Sequence, residues 1–500
     1  MTAAHLTLHP AFPVGPVNRR LFGGFVEHLG RHVYDGIYEP GHPTAGPDGF
    51  RGDVLELVRE LGVTMVRYPG GNFVSGLRWE DTVGAREERP RRLDLAWHST
   101  ETNEVGLHEF SDWLRQVGAE LMLAVNLGTR GVQEALDLLE YANVPGGTAL
   151  SDLRRSHGAE APLAVAMWCL GNEMDGPWQL GHKDADAYGR LAVMAASAMR
   201  QLDPSVQLVA GGSSGRQMPT FGDWERVVLE HAYDEVDYIS CHAYYEEKDG
   251  DVASFLASGV DMDRYIESVV NTADHVKAVK RSSKSIDISF DEWNVWYQER
   301  YQGEKAAGID NWPIAPRILE DRYNVTDAVV VGGLLISLLK HADRVTSASI
   351  AQLVNVIAPI MTEPGGPAWR QTTFHPFAQT AAHARGTSLR IAIDAPTAET
   401  AQFGEVPVVD AAATIDGDSL SVFLVNRHQT EPAEITIDIA ALGASGSPRA
   451  VGIWDDDRFA SNTLEDRERV GLRDNPTPRR DGDTVTVTIP PISWTALTLA

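Results

Sequence analysis

Between Arg20 and Asn355 the chain alternates short apolar runs with amphipathic helical stretches, and it does so eight times. The strand-like runs are Arg20–Glu27, Thr64–Pro69, Glu120–Asn126, Ala164–Glu173, Val206–Gly212, Val236–Tyr244, Ser285–Glu292 and Ser349–Asn355. Helical patterns separate them, among them Asp53–Leu61, Leu107–Val117, Asp184–Leu202, Tyr265–Lys280 and Asn324–His341. Strands that alternate with helices form βα units and a parallel sheet. Eight such pairs predict an α/β fold, a closed (β/α)8 TIM barrel. The competing topology is an open doubly wound sheet, which usually has fewer strands and a glycine-rich first turn. Gly23-Gly24 lacks the G-x-G-x-x-G spacing of such a turn.

The texture changes after about Thr387. Short alternating runs follow at Ser388–Ile393, Ser419–Asn426, Ala433–Ile439, Thr484–Ile489 and Ser493–Leu499, separated by turn residues such as Asp416-Gly417-Asp418 and Asp481-Gly482-Asp483. This pattern predicts an all-β, jelly-roll-like sandwich. The first residues, Ala4 to His9, alternate as well and are expected to add a strand to it. The expected domains are therefore a barrel over 19–386 and a sandwich built from 1–18 plus 387–500.

A formal net charge of −27 argues against a nucleic-acid partner, which needs a positive face. The two cysteines, Cys169 and Cys241, lie in apolar runs and read as buried free thiols in a reducing compartment. The start, Met1-Thr2-Ala3-Ala4-His5-Leu6, has no basic segment followed by an apolar core. The longest apolar run, Ala328 to Leu339, is too short to span a bilayer and reads as a buried helix. A cytoplasmic protein with no membrane partner is expected, acting on small imported substrates.

The strand ends are unusually polar. In order they carry Glu27, Arg67, Asn72, Asn126, Asn172 with Glu173, His242 with Tyr244 and Tyr245, Glu292 with Asn294, and Gln352 with Asn355. Buried polar groups cost about 1–3 kcal/mol each when unpartnered. A rim this rich in donors and acceptors points to a polyhydroxylated ligand, a sugar. Trp97, Trp168, Trp178, Trp293, Trp296, Tyr297 and Trp312 accompany it. Their faces suit sugar C–H surfaces, although Trp is also a common core residue. Trp178 and Trp296 are the best placed, because they lie just past two glutamates.

Those glutamates are Glu173, at the end of the fourth run, and Glu292, at the end of the seventh. A (β/α)8 barrel places its chemistry at the C-terminal ends of its strands. Two carboxylates facing one pocket are the minimum equipment for hydrolysing a glycosidic bond. Asp291 competes with Glu292: successive strand side chains point to opposite faces, so one of the pair is expected to face the axis, and reach favours Glu292. A non-catalytic carbohydrate-binding protein would have no need of both glutamates. Metal and cofactor chemistry is not expected: His28, His32, His98 and His242 with Glu27 form no H-E-x-x-H motif, and the cysteines are isolated. Gly211-Gly212-Ser213-Ser214-Gly215 matches a nucleophile elbow, but Pro219 argues against the helix such an elbow needs.

Several longer phrases carry a resemblance. They are Phe22 through Arg31, Val66 through Phe73, Trp168 through Trp178, Cys241 through Tyr245 and Phe290 through Tyr297. In these, and over essentially its whole length, the chain resembles the α-L-arabinofuranosidases of glycoside hydrolase family 51. The resemblance implies that Glu173 is the acid/base and Glu292 the nucleophile of a retaining, exo-acting enzyme. It also implies that Glu27, Arg67, Asn72, Asn172, Tyr244 and Gln352 hold the furanose or orient the carboxylates, and that the loop from Trp97 to Gly106 borders the site. Arabinofuranosyl oligosaccharides would be the substrates and a homo-oligomer, commonly a hexamer, the assembly. A related barrel glycosidase, such as a β-xylosidase or endoglucanase, is the alternative. Retention requires carboxyl groups about 5–5.5 Å apart, against about 6.5–9.5 Å for inversion.

Overall fold

The computed structural model describes residues 1–301 and 304–499. Eight parallel strands close into a barrel: Gly23–Phe25, Met65–Tyr68, Glu120–Val125, Met167–Leu170, Gln207–Ala210, Tyr238–Tyr245, Asp287–Val295 and Val345–Ala351. Each pairs with the next in sequence, and the eighth pairs with the first. All eight expected strands are present. The first is shorter than expected, because Arg19–Phe22 winds into a 3-10 turn capped by the Asn18 side chain. The eighth begins four residues earlier than expected, at Val345. Its opening Val-Thr-Ser-Ala has too little apolar contrast to show an alternation.

Four of the five expected helices match their spans closely, and the fifth, expected over Tyr265–Lys280, begins seven residues earlier, at Ser258. Leu107–Val117 coincides, and Asp184 and Asn324 prove to be the caps of Ala185–Leu202 and Val325–Lys340. Each cap side chain accepts from backbone N–H groups that the first turn leaves unpaired. Inside the barrel, Met65, Met122, Ala124, Met167, Cys169, Val209 and Tyr238 form a separate apolar core. Residues two apart on one strand share a face. Arg67, two beyond Met65, therefore stands directly above this core and at the floor of the barrel mouth.

Ten further strands join one continuous ladder, not two separately bonded sheets, and six more form three two-stranded ribbons. Thr2–Pro16 lies within it, parallel to Ala433–Asp438 on one side and antiparallel to Thr387–Asp394 on the other. Thr484–Ile489 and Ser493–Leu499 lie six places apart in the ladder yet are joined by three residues. In a flat sheet six strand spacings would cover about 29 Å, while that link spans about 14 Å. The ladder therefore folds over on itself, and Asn475 at one end donates to Thr488 O near the other at 2.8 Å. The result is the expected sandwich around its own core of Leu6, Val422, Ile435, Val487 and Leu497, among others. Strands missed from sequence include Val409–Asp416, whose alanines carry little β preference, and Pro448–Ile453.

The helix Val325–Lys340 is buried on every side. It packs between the barrel strand Asp287–Val295 and the sheet strands Val409–Asp416 and Ser493–Leu499. A helix apolar all round requires such a place. Gly332 marks the tightest approach: a Cβ there would stand 2.1 Å from Trp494 Cδ1, whereas one on Gly333 would meet nothing within 4 Å. The two glycines should thus respond oppositely to alanine. Gly332→Ala should destabilise the fold by about 1–3 kcal/mol through overpacking. Gly333→Ala should be neutral or stabilising by up to about 1 kcal/mol through helix propensity. Urea unfolding midpoints of the two variants test this, and equal shifts would contradict it. Among the described residues no helix is long and apolar enough to cross a membrane.

Candidate active site

The mouth of the barrel gathers Arg67, Asn72, Asn172, Glu173, His242, Tyr244 and Glu292 into one network of hydrogen bonds and ion pairs, whereas Asn126, Tyr245, Asn294 and Asn355 bond to loop, helix or backbone groups outside it. Arg67 Nη1 donates to Glu292 Oε1 at 2.7 Å, and its Nη2 donates to Asn172 Oδ1 at 2.6 Å. The guanidinium lies over the Phe25 ring, 4.9 Å from its centroid. Tyr244 OH donates to the other oxygen of Glu292 at 2.7 Å. Trp178 Nε1 donates to Glu173 Oε2 at 2.8 Å, and His242 Nδ1 lies 2.9 Å from Glu173 Oε1. Asn172 Nδ2 reaches Asn72 Oδ1 at 3.3 Å. Glu173 adopts a φ of +42°, in the left-handed region that residues with a side chain seldom enter, two residues after Gly171 at +85°. Such backbone strain is found preferentially at functional sites.

Glu27 anchors the opposite wall. It accepts from Phe73 N at 2.8 Å, Trp97 Nε1 at 2.9 Å and Gln352 Nε2 at 3.4 Å. The glycines of Pro69-Gly70-Gly71-Asn72 make room for it. A Cβ on Gly70, whose φ is +153°, would fall 2.6 Å from Glu27 Cγ. Trp296 packs edge-to-face on Tyr244 with ring centroids 5.1 Å apart. Its buried Nε1 has no hydrogen-bond partner among the described residues. Trp178 is 52% exposed, whereas Trp168 and Trp293 are fully buried in the core and take no part in the mouth.

The expectation that only one of Asp291 and Glu292 faces the axis needs correction. Along the paired strands Ser289 stands opposite Ser240, but Glu292, not Asp291, stands opposite His242. One extra residue in the seventh strand resets the alternation, as a β-bulge does. Both carboxylates therefore point inward. Glu292 meets Arg67 and Tyr244, while Asp291 Oδ1 lies 2.9 Å from His242 Nε2. Sequence reasoning missed Asp291 because it assumed an unbroken pleat. It also missed Tyr301, edge-on to Trp97 with centroids 5.8 Å apart, and Asp94, which accepts from Trp97 N. Tyr301 lies in no phrase that drew notice.

Burial and charge act against each other here. Burial would lower the Arg67 and His242 pKa values, but the carboxylates around them reverse this. Asp291 and Glu292 hold Arg67 well above its ordinary value, and Glu292, Asp291 and Glu173 push His242 up to about 10. Burial raises the proton affinity of Glu292, while His242, Arg67 and the Tyr244 hydroxyl pull the other way. Arg67 and Tyr244 both donate to Glu292, and the guanidinium, which has no lone pair, favours its ionised form. Burial pushes Glu27 up to about 8, against the hydrogen bond from Phe73.

Ligand atoms of Glu173, His242 and Glu292 lie within 4.8 Å of one another, a spacing that would suit a metal ion. The chemistry of the set does not: both His242 nitrogens are already engaged by carboxylate oxygens, Nδ1 by Glu173 and Nε2 by Asp291. The same spacing brings one oxygen of each glutamate within 4.8 Å of the other across the mouth. Gly211–Gly215 forms a loop whose Ser214 N donates to Asp175, and no helix begins before Asp223, so the elbow match is incidental.

Comparison with known proteins agrees with this geometry. Residues 57–267 match the model of the α-L-arabinofuranosidase 1 domain, and residues 291–493 match that of the α-L-arabinofuranosidase C-terminal domain. The chain is 58% identical over 504 aligned positions to an exo-α-(1→6)-L-arabinofuranosidase of Bifidobacterium longum, covering 99% of this chain and 97% of that protein. It is 59% identical to an intracellular exo-α-(1→5)-L-arabinofuranosidase of Streptomyces lividans, covering 100% of this chain and 76% of that one. The solved structure of a family 51 α-L-arabinofuranosidase from Bifidobacterium longum superposes over the full length of both chains with a TM-score of 0.96 at 49% identity. Closed barrel, folded-over sheet and matched sequence lead to one conclusion: the chain belongs to the α-L-arabinofuranosidases of glycoside hydrolase family 51.

Proposed function

We propose that the protein removes terminal, non-reducing α-L-arabinofuranosyl residues from arabinose-containing oligosaccharides with retention of configuration. The observation that carries this reading is the Glu173–Glu292 pair, with oxygens within 4.8 Å at one barrel mouth, in a chain of this family. Glu292, its oxygens aligned by Arg67 and Tyr244, attacks the anomeric carbon. Glu173 gives its proton to the departing oxygen. Water, deprotonated by Glu173, then attacks the arabinosyl ester and releases arabinose. Glu27, Asn72, Asn172 and Gln352 bind the furanose hydroxyls, and Trp97 and Trp296 wall the ring. The orphan Trp296 Nε1 is a donor that a hydroxyl would satisfy. Trp178, half-exposed beside Glu173, flanks the leaving group.

Relatives described as intracellular and exo-acting support a cytoplasmic enzyme working on chain ends. The family resemblance supports a homo-oligomer, a hexamer. We place the domain limits at 19–386 for the barrel and 1–18 plus 387–500 for the sheet. Hydrolysis of 4-nitrophenyl α-L-arabinofuranoside, followed by NMR, tests the whole reading. The α-anomer of arabinose should appear first. Activity confined to a pyranoside or a glucan would move the protein to another specificity, and first release of the β-anomer would exclude double displacement.

A further inference from the structure

Both oxygens of Asp291 face donors. Oδ1 lies 2.9 Å from His242 Nε2, while Oδ2 meets Ser289 Oγ at 3.3 Å, Cys169 Sγ at 3.9 Å and Arg67 Nε at 3.9 Å. The Cys169 thiol keeps its proton, since burial pushes it up to about 12. With a donor facing each oxygen of Asp291, the proton of its contact with His242 sits on Nε2. The other ring nitrogen, Nδ1, lies 2.9 Å from Glu173 Oε1 and 3.7 Å from Glu292 Oε2. The groups facing the ring are Glu173 from the fourth strand and Asp291 and Glu292 from the seventh. Arg67 lies beyond them on the second strand. Tyr244 shares the strand of His242, and Tyr265, on the helix behind it, is a neutral phenol.

We propose that Asp291 is a positioning residue: it fixes His242 as an imidazolium whose Nδ1–H is aimed at Glu173, stabilising the carboxylate that Glu173 becomes on giving up its proton. This rests on the roles given above to Glu173 and Glu292. Charge supports it. Before the first step, Arg67 and His242 carry two positive charges, Asp291 and Glu292 two negative ones, and Glu173 is neutral. In that step the bond from Glu292 to the anomeric carbon forms, the glycosidic C–O bond breaks, and the Glu173 proton goes to the departing oxygen. Glu292 is now a neutral ester and Glu173 the anion, so the total is again zero. The negative charge has passed across one imidazolium, from 3.7 Å to 2.9 Å from the same nitrogen. In the second step water gives a proton to Glu173 and its oxygen to the anomeric carbon, and Glu292 regains its charge. His242 keeps both protons throughout. A neutral His242 would leave an uncompensated buried negative charge in every state, which is strongly unfavourable. The elevated pKa of His242 agrees.

The test is a cycle of wild type, Asp291→Asn, His242→Gln and the double variant, read as kcat/KM on arabinofuranosides whose leaving groups range from dinitrophenol to simple alcohols. The amide of Asp291→Asn would keep an acceptor for Nε2–H but not the charge. Asp291→Asn should lower kcat/KM about 10- to 100-fold on alkyl substrates and far less on the dinitrophenyl substrate, because only the former need the proton. Added to His242→Gln, it should cost less than about twofold more. An effect equal across leaving groups, or undiminished without the histidine, overturns the proposal. Neutron diffraction of the wild-type protein gives a reading free of mutation: deuterium is expected on both His242 nitrogens at pH 7, and a bare Nδ1 overturns it. A wild type that did not cleave arabinofuranosides would instead refute the functional reading, with the neutron result still deciding the ring.

Discussion

Glu292→Ala should lose turnover on every arabinofuranoside, good leaving group or poor, by on the order of 10⁴-fold or more, the scale seen when a covalent nucleophile is removed. The protein should still fold. Arg67 keeps its bond to Asn172 and the nearby Asp291, so its buried charge is not abandoned. Substrate affinity should fall little, because Glu27, Asn72 and Gln352 remain. Azide in the vacated space can attack the sugar directly, and one displacement gives an inverted arabinosyl azide. Residual activity within about 100-fold of wild type would remove Glu292 from the nucleophile's role. The natural check is isothermal titration of the variant with an arabino-oligosaccharide beside a turnover assay.

Glu173→Ala should behave differently in kind. General acid–base catalysis contributes about 10²- to 10⁴-fold, and the loss should follow the leaving group. Alkyl and sugar leaving groups need the proton and should lose the full factor. A dinitrophenolate departs unaided, so the arabinosyl-enzyme still forms but then waits for a water with no base. Azide needs no deprotonation and should restore turnover on that substrate, and two displacements give a retained azide. The configuration of the azide product therefore separates the two glutamates: inverted from Glu292→Ala and retained from Glu173→Ala. The same anomer from both, or no rescue of either, would contradict the assignment. The Trp178 and His242 contacts to Glu173 are lost as well, so part of the effect on alkyl substrates belongs to that pair.

Much of this was legible because barrel strands are short and their ends abrupt. Apolar runs that stop at Glu27, Arg67, Asn172-Glu173 and Glu292 mark strand ends and rim residues at once, although Asn126, Tyr245, Asn294 and Asn355, equally polar in sequence, turn to other partners. What escaped depends on long-range geometry. The bulge beside Asp291 is visible only against the strand it pairs with, and no local pattern announces the extra residue. The eighth strand hid its start in small polar residues. The alanine-rich strand Val409–Asp416 is held by its neighbours and not by its own preference. Trp168 and Trp293 follow the ordinary habit of tryptophan and fill the core, which only packing could distinguish from the exposed Trp178.

Thr2–Pro16 lies in the interior of the ten-stranded ladder, and one of its two partners begins at Ala433. During synthesis Thr2–Pro16 leaves the ribosome long before the strand at Ala433 that it pairs with. At about 5–20 residues per second, that delay is roughly 20 to 90 s. The barrel, whose strands pair in order of appearance, can close in that interval. The sheet cannot, and until it does one face of the buried helix Val325–Lys340 has no cover. Thr2–Pro16 is therefore enclosed on both edges only after Ala433–Asp438 has emerged, long after the barrel strands that follow it in sequence.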